Sequence, residues 1–349
     1  MSKADAVDVT VNITYENVRF YGHYNAADSS VKASWPNSGV VIRFSGSALT
    51  LMINSTRQNT DEDAAFVQVW VDGERTSRIR LKNGTDSYTV ISGLNDGEHI
   101  VKVLCVVELN GDYVTFSSLT VRGKEPKLLT PKKDEKQLKF DIFGDSITAG
   151  FGSIPGHAEG YRTSDQDSSI TSAAKTVDYF NGDGVYKAIS GWGCLQGWNA
   201  DTNGIIPRVW KRAEYAYEAE FDFSARQADI VIINLGTNDA AFNAPKEKFI
   251  DAYVNFLLDI RSKYKNAYIF CVYGMMNESY GPYVKEAAER FTETDKIGAV
   301  YVHTINMSDD PKRYTGSGGH PSGEIGTDVS KELIKVIEKI YFGITATRS

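Results

Sequence analysis

The 349 residues are 42% hydrophobic and 24% charged, the make-up of an ordinary soluble globular chain with enough length to bury a large core. At roughly 100–200 residues per domain, two domains are predicted. With 38 Lys and Arg against 45 Asp and Glu the net charge is −7, which argues against nucleic-acid binding and against a polybasic membrane surface; no apolar run approaches the ~18 residues of a membrane span.

The N-terminus, MSKADAVDVT, has no apolar signal region and starts at Met1, so a cytoplasmic protein is expected. Residues 1–123 read as β. NVRFYGHY, GVVIRFSG, AFVQVWVDG, YTVISGL, EHIVKVLCVVEL and VTFSSLTVRG are short alternating runs. Turn signals separate them: Asp72-Gly73, Asn83-Gly84, Asn95-Asp96-Gly97 and Asn110-Gly111. Such pairs supply positive φ at low cost, so the pattern predicts an all-β sandwich of jelly-roll type. Residues 124–137 carry two prolines among mixed charges and read as an exposed linker.

From 138 to 349 the pattern becomes α/β. LKFDIFG, VYKAISG, ADIVIINLG, AYIFCVYG and AVYVHTIN are apolar strands of a parallel sheet. Between them and after them, Phe249, Tyr253, Phe256, Leu257 and Ile260 share one helix face, and Val329, Leu333, Val336, Ile337 and Ile340 share another. Alternation of this kind predicts a doubly wound, flavodoxin-like three-layer domain with its ligand at the carboxyl ends of the strands. The odd cysteine count and the lack of C-x-x-C argue against a disulfide framework or a thiolate metal site. Cys105 and Cys271, in apolar runs, read as buried small hydrophobes.

Four segments of the α/β half carry candidate chemistry. In Gly144-Asp145-Ser146-Ile147-Thr148 a serine just past a strand end can present its Oγ on a tight turn, although an N-cap serine is the plainer reading. In Ile189-Ser190-Gly191-Trp192-Gly193, Gly191 lets a backbone N–H approach a substrate oxygen, or forms an ordinary turn. In Gly236-Thr237-Asn238-Asp239 the Asn238 amide is a neutral donor able to bind an oxyanion, and Asp239 reads as a loop stabiliser. His320, in Gly318-Gly319-His320-Pro321, stands in a glycine-rich loop where it can act as a general base. Of the other histidines, His303 reads as a core residue and His157 as an exposed loop residue.

The four segments, in this order, resemble the SGNH/GDSL hydrolase superfamily. The whole chain is similar to one branch of it, carbohydrate esterase family 2. Val71-Asp72-Gly73 and Gly93–His99 resemble the hairpins of that family's N-terminal domain, and Phe221-Asp222-Phe223 resembles its approach to the asparagine block. The resemblance implies an N-terminal β-sandwich, a short linker and a C-terminal SGNH domain. It implies Ser146 as nucleophile, His320 as base, and Ser146, Gly191 and Asn238 as the oxyanion hole. The activity implied is removal of acetyl groups from plant-wall polysaccharides or oligosaccharides of acetylxylan or acetylmannan type, with no cofactor and no metal. Trp192 and Trp198, flanking the Gly191 loop, are candidate platforms for a sugar ring, or packing residues.

One departure stands out. The superfamily usually carries an aspartate three positions before the histidine, and here that position is Ser317. A Ser–His dyad is therefore expected, with His320 Nδ1–H bonded to a main-chain carbonyl. Asp309 and Asp310, the nearest upstream acids, read as an exposed turn. Two alternatives stay open on the residues: a carbohydrate-binding protein with an inactive α/β half, and an SGNH esterase or thioesterase of a non-carbohydrate ester. The sequence leaves open whether the chain forms a homo-oligomer.

Overall fold

The structure, a computed structural model, describes residues 5–25, 30–131, 137–216 and 218–343. It divides into two compact units: Met1–Lys136 with Ala213–Ala219, and Gln137–Arg212 with Glu220–Ser349.

The first unit is built of strands β1 (Val7–Asn12), β2 (Arg19–Tyr21), β3 (Val31–Ala33), β4 (Ser38–Gly46), β5 (Ala48–Ser55), β6 (Phe66–Val71), β7 (Glu74–Arg80), β8 (Gly84–Ile91), β9 (Gly97–Cys105), β10 (Val114–Gly123) and β11 (Lys127–Leu129). They form two antiparallel sheets. One runs β1-β10-β5-β8, with β3 also on β10; the other runs β11-β4-β9-β6-β7, with β2 also on β4. Inward positions two apart, such as Val40, Ile42 and Phe44 on β4 and Leu49, Leu51 and Ile53 on β5, make the shared core. The β6–β7 hairpin turns at Asp72-Gly73, where φ is +52° and +92°. Ala213–Ala219 joins this unit although it lies far along the chain: the Trp35 indole donates to Ala213 O at 3.2 Å, and Tyr215 N–H to Ser34 Oγ at 3.3 Å.

The stretch read as a linker, 124–137, opens differently. Lys127–Leu129 pairs antiparallel with residues 43–45 of β4, and Leu128 packs on the sandwich core. The charges around it hide a three-residue edge strand. Residues 132–136 of the same stretch lie outside the described part.

The second unit holds β12 (Lys139–Gly144), α1 (Ser146–Ala149), α2 (Ser172–Tyr179), β13 (Asp183–Ala188), β14 (Ile230–Asn234), α3 (Thr237–Ala241), α4 (Lys246–Lys263), β15 (Tyr268–Tyr273), α5 (Gly281–Thr292), β16 (Ala299–His303), α6 (Pro311–Tyr314) and α7 (Gly323–Tyr341). Its sheet is parallel throughout, in the order β13-β12-β14-β15-β16, the flavodoxin-like doubly wound arrangement. Phe140, Ile142, Ile230, Ile232, Phe270 and Val272 face α2 and α7. On the alternate face Phe143 meets Phe256 of α4 edge-on at 5.8 Å, and α5 packs beside α4. The apolar stripe of α4 is buried at every expected position. In α7 the stripe ends sooner: Val329, Leu333 and Ile337 are buried, whereas Ile340 in the last turn is exposed.

Candidate active site

Register places three of the predicted segments side by side. Gly144, the last residue of β12, pairs with Ala188 of β13 and Asn234 of β14, so the loops that follow leave the sheet at one level. This is the carboxyl edge of the sheet, where a doubly wound fold presents its ligand site. Ser146 opens the short helix α1. Asp145 caps that helix by accepting the Ile147 N–H at 3.0 Å, which fixes the turn that carries the serine. Ser146 itself is buried.

His320 reaches the same place from the loop before α7. Its Nε2 lies 3.0 Å from Ser146 Oγ, and its Nδ1 lies 3.0 Å from the main-chain oxygen of Gly318. A carbonyl only accepts, so Nδ1 carries the proton. In the neutral ring Nε2 is then the acceptor, aimed at the serine hydroxyl. The ring of Phe151 packs on the imidazole with centroids 4.1 Å apart. Burial pushes the His320 pKa below its ordinary value, and the Gly318 carbonyl opposes that in part.

Ser317, at the position where the superfamily carries an acid, turns away from the imidazole. Its hydroxyl is 3.0 Å from Ile154 O and accepts the His157 N–H at 2.9 Å. Asp309 and Asp310 are exposed; Asp309 accepts the Asn306 N–H at 2.9 Å and closes a short turn there.

The Asn238 amide, in the first turn of α3, donates one N–H to Trp192 O at 2.8 Å, which ties it to the Gly191 loop. Gly191 adopts a φ of +80°, and its carbonyl accepts the Trp198 N–H at 2.6 Å. The next residue of α3, Asp239, secures that loop. Its carboxylate accepts the N–H groups of Cys194, Leu195 and Gln196 at 2.9, 2.8 and 2.9 Å. Burial raises the Asp239 pKa above the usual carboxylate value, against the pull of those three bonds. The turn is tight enough that a Cβ on Gly193 would stand 1.9 Å from Gln196 O and 2.6 Å from Asp239 Oδ2, so only glycine fits. Trp192 is half-buried. Trp198 is 61% exposed and meets Phe242 edge-on at 4.8 Å.

Other sequence expectations fare unevenly. Cys105 and Cys271 are buried, and Cys194 is buried with them. His303 is not a core residue. It ends the edge strand β16 exposed, with Tyr301 Oη 3.4 Å from its Nδ1; in AVYVH it is Val302 that points inward. His157 is half-exposed as a loop residue would be, yet its Nδ1 lies 2.7 Å from Asp165 Oδ2. Reasoning from sequence passed over Phe151 and Asp165; it expected a main-chain carbonyl at His320 Nδ1, as found, without naming Gly318. The Gly318-Gly319 doublet was the available signal, since it marks a backbone bent to bring a peptide group close. Among the described residues no cluster of three or more His, Cys, Asp or Glu side chains is disposed to hold a metal ion.

Residues 20–131 match the family described as carbohydrate esterase 2 N-terminal, and residues 142–324 match the GDSL-like lipase/acylhydrolase family. A cellulase/esterase CelE from Acetivibrio thermocellus is 28% identical over 313 residues; these take in 87% of this chain but 37% of that protein's length. A family two carbohydrate esterase from Clostridium thermocellum, solved with cellohexaose, superposes with a TM-score of 0.85 at 24% identity, over 94% of this chain and all of that one. An acetyl xylan esterase from the rumen bacterium Butyrivibrio proteoclasticus superposes with a TM-score of 0.83 at 21% identity, over 97% and 99% of the two chains. At these identities the two solved structures speak for the fold.

Proposed function

Because the chain belongs to carbohydrate esterase family 2 within the GDSL/SGNH hydrolases, enzymes that cleave carboxylic esters of carbohydrates, we propose that it removes O-acetyl groups from plant-wall polysaccharides or their oligosaccharide fragments. The observation that carries this reading is the 3.0 Å approach of His320 Nε2 to Ser146 Oγ, with the other ring nitrogen committed as a donor.

Ser146 Oγ attacks the acetyl carbonyl while His320 Nε2 takes the hydroxyl proton. The carbonyl π pair moves to oxygen. The oxyanion is met by the N–H groups of Ser146 and Gly191 and by the second amide N–H of Asn238. Donors set in advance around a developing charge cost no reorganisation at the moment of reaction. The intermediate collapses, the sugar C–O–acyl bond breaks at the acyl carbon, and His320 gives its proton to the departing sugar oxygen. Water, deprotonated by the same imidazole, then attacks the acetyl-serine, and the second intermediate breaks at the Ser146 Oγ–acyl bond, releasing acetate as His320 returns the proton to Ser146 Oγ. The lowered pKa of His320 keeps it neutral, ready to accept a proton at the start of each half-reaction. Trp198, exposed beside the Gly191 loop, offers an indole face for the apolar side of a sugar ring.

The test is acetate release from regio-defined acetylated xylo-, manno- and gluco-oligosaccharides. Release from at least one series, absent in Ser146→Ala, is expected. Cleavage of a simple aryl acetate with no release from any of the sugars would instead assign the esterase to another alcohol.

A further inference from the structure

A lone peptide carbonyl orients His320, and it belongs to the most pliable kind of loop. Residues 316, 318 and 319 are glycine, and Gly318 sits at φ +60°. Such backbone has many conformations to choose from, so an acceptor on it needs outside support. Main-chain bonds supply part of it. Ser317 N–H donates to Gly152 O at 2.8 Å, Gly316 N–H to His320 O at 2.7 Å, and Gly318 N–H to His157 O at 3.0 Å.

The last of these bonds leads to a second group of side chains. His157 supplies the carbonyl that pins Gly318, and its own N–H donates to Ser317 Oγ at 2.9 Å. Its ring is 2.7 Å from Asp165 Oδ2, and Ser164 Oγ donates to Asp165 Oδ1 at 3.1 Å. The Ser317 hydroxyl donates to Ile154 O at 3.0 Å. The Ile154 N–H donates to Asp165 O at 2.9 Å. Asp165 and Ser317 are both buried. Burial works to raise the Asp165 pKa, but its hydrogen bonds, that of His157 foremost, outweigh it and hold the carboxyl below its usual range. Asp165 is thus a buried, inward-facing anchor tied through the His157 ring to the residue whose carbonyl pins Gly318 N–H.

We infer that Asp165 is the positioning acid of this hydrolase: through His157, which bonds both Gly318 N–H and Ser317 Oγ, it fixes the residue whose carbonyl orients His320, so its charge sits one layer behind the imidazole. None of the three touches the reacting atoms. The inference rests on the reading of Ser146 and His320 as the catalytic pair.

The experiment uses the full chain with an aryl acetate as substrate, comparing Asp165→Asn and Ser317→Ala with the parent at a temperature below every melting transition. A misplaced base costs rate far more than binding, so kcat falls roughly 10–100-fold in each variant while KM stays within about twofold. The downfield proton resonance of His320 Nδ1–H, identified as the signal absent from His320→Gln, shifts or broadens in both. Should one variant fail to fold, the other carries the test. A kcat within twofold of the parent overturns the inference. So does a fall in kcat with the His320 resonance unmoved, which marks Asp165 as a fold residue only. Turnover surviving in Ser146→Ala defeats the underlying reading instead, and is distinguishable on that ground.

Discussion

The two loops that meet at Ser146 are held by opposite means. The 191–197 loop is gripped by a buried carboxylate: Asp239 takes three consecutive N–H groups directly. The 316–320 loop is held by peptide carbonyls, and the group facing the imidazole is neutral. The difference follows from what each loop must do. Oxyanion donors have to stay still, and an anion bonded to several N–H groups is the firmer clamp. The base has to gain and lose a proton in each cycle. A carbonyl sets its tautomer without the charge that would raise its pKa, and burial lowers it.

The largest effect expected separates chemistry from both loops. Ser146→Ala and His320→Ala should each lower kcat on the order of 10⁶-fold, because nucleophile and base act as a unit. A serine-directed phosphonate should label Ser146 alone, as read by peptide mass mapping; label on another serine breaks the assignment. Next, Asn238→Ala should lower kcat by roughly 10²–10³ with KM little changed. A loss of tenfold or less would make the residue a tether for Trp192 and nothing more.

Asp239→Ala sharpens the contrast itself. It strands three backbone N–H groups in a buried turn, so a stability loss of about 3 kcal/mol is expected in denaturant titration. A change under about 0.5 kcal/mol would show that the 191–197 loop is not clamped as described.

The pH profile tests the other loop. The neutral form of His320 is the active one, so kcat/KM is lost as pH falls through its folded-state pKa. Burial lowers that pKa, which puts the acid limb below the ordinary ~6.5 of histidine. A limb at or above that value would point to a carboxylate on the imidazole. The smallest effects belong to Asp309→Asn and Asp310→Asn, each well under tenfold in kcat; a thousandfold loss in either would name it the missing acid.

Legibility differed between the halves of the chain. Strands with one buried face announced themselves, as β4 and β10 did. Others did not. Every residue of β7, ERTSRIR, is exposed or only partly buried, and it lacks the alternation that marks a strand; β1, VDVTVN, alternates but is exposed almost throughout. Both are edge strands, held by the ladder and not by an apolar face. In the α/β half the buried parallel strands and the stripe of α4 were plain, because burial on both faces or along one stripe imposes composition.

The two-part architecture, the order of the four polar segments and the absence of an acid three residues before His320 can all be read along the chain. These depend on local pattern and on residue identity. Folding was needed to show that Gly318 O takes the place at Nδ1, that Asp239 clamps a turn beginning 45 residues before it, and that Asp165 lies behind the histidine loop. The first two of these bonds join a backbone group to a side chain that a bend in the chain brings to it. Backbone N–H and C=O groups are alike at every residue, so which of them meets a given side chain is settled by the fold.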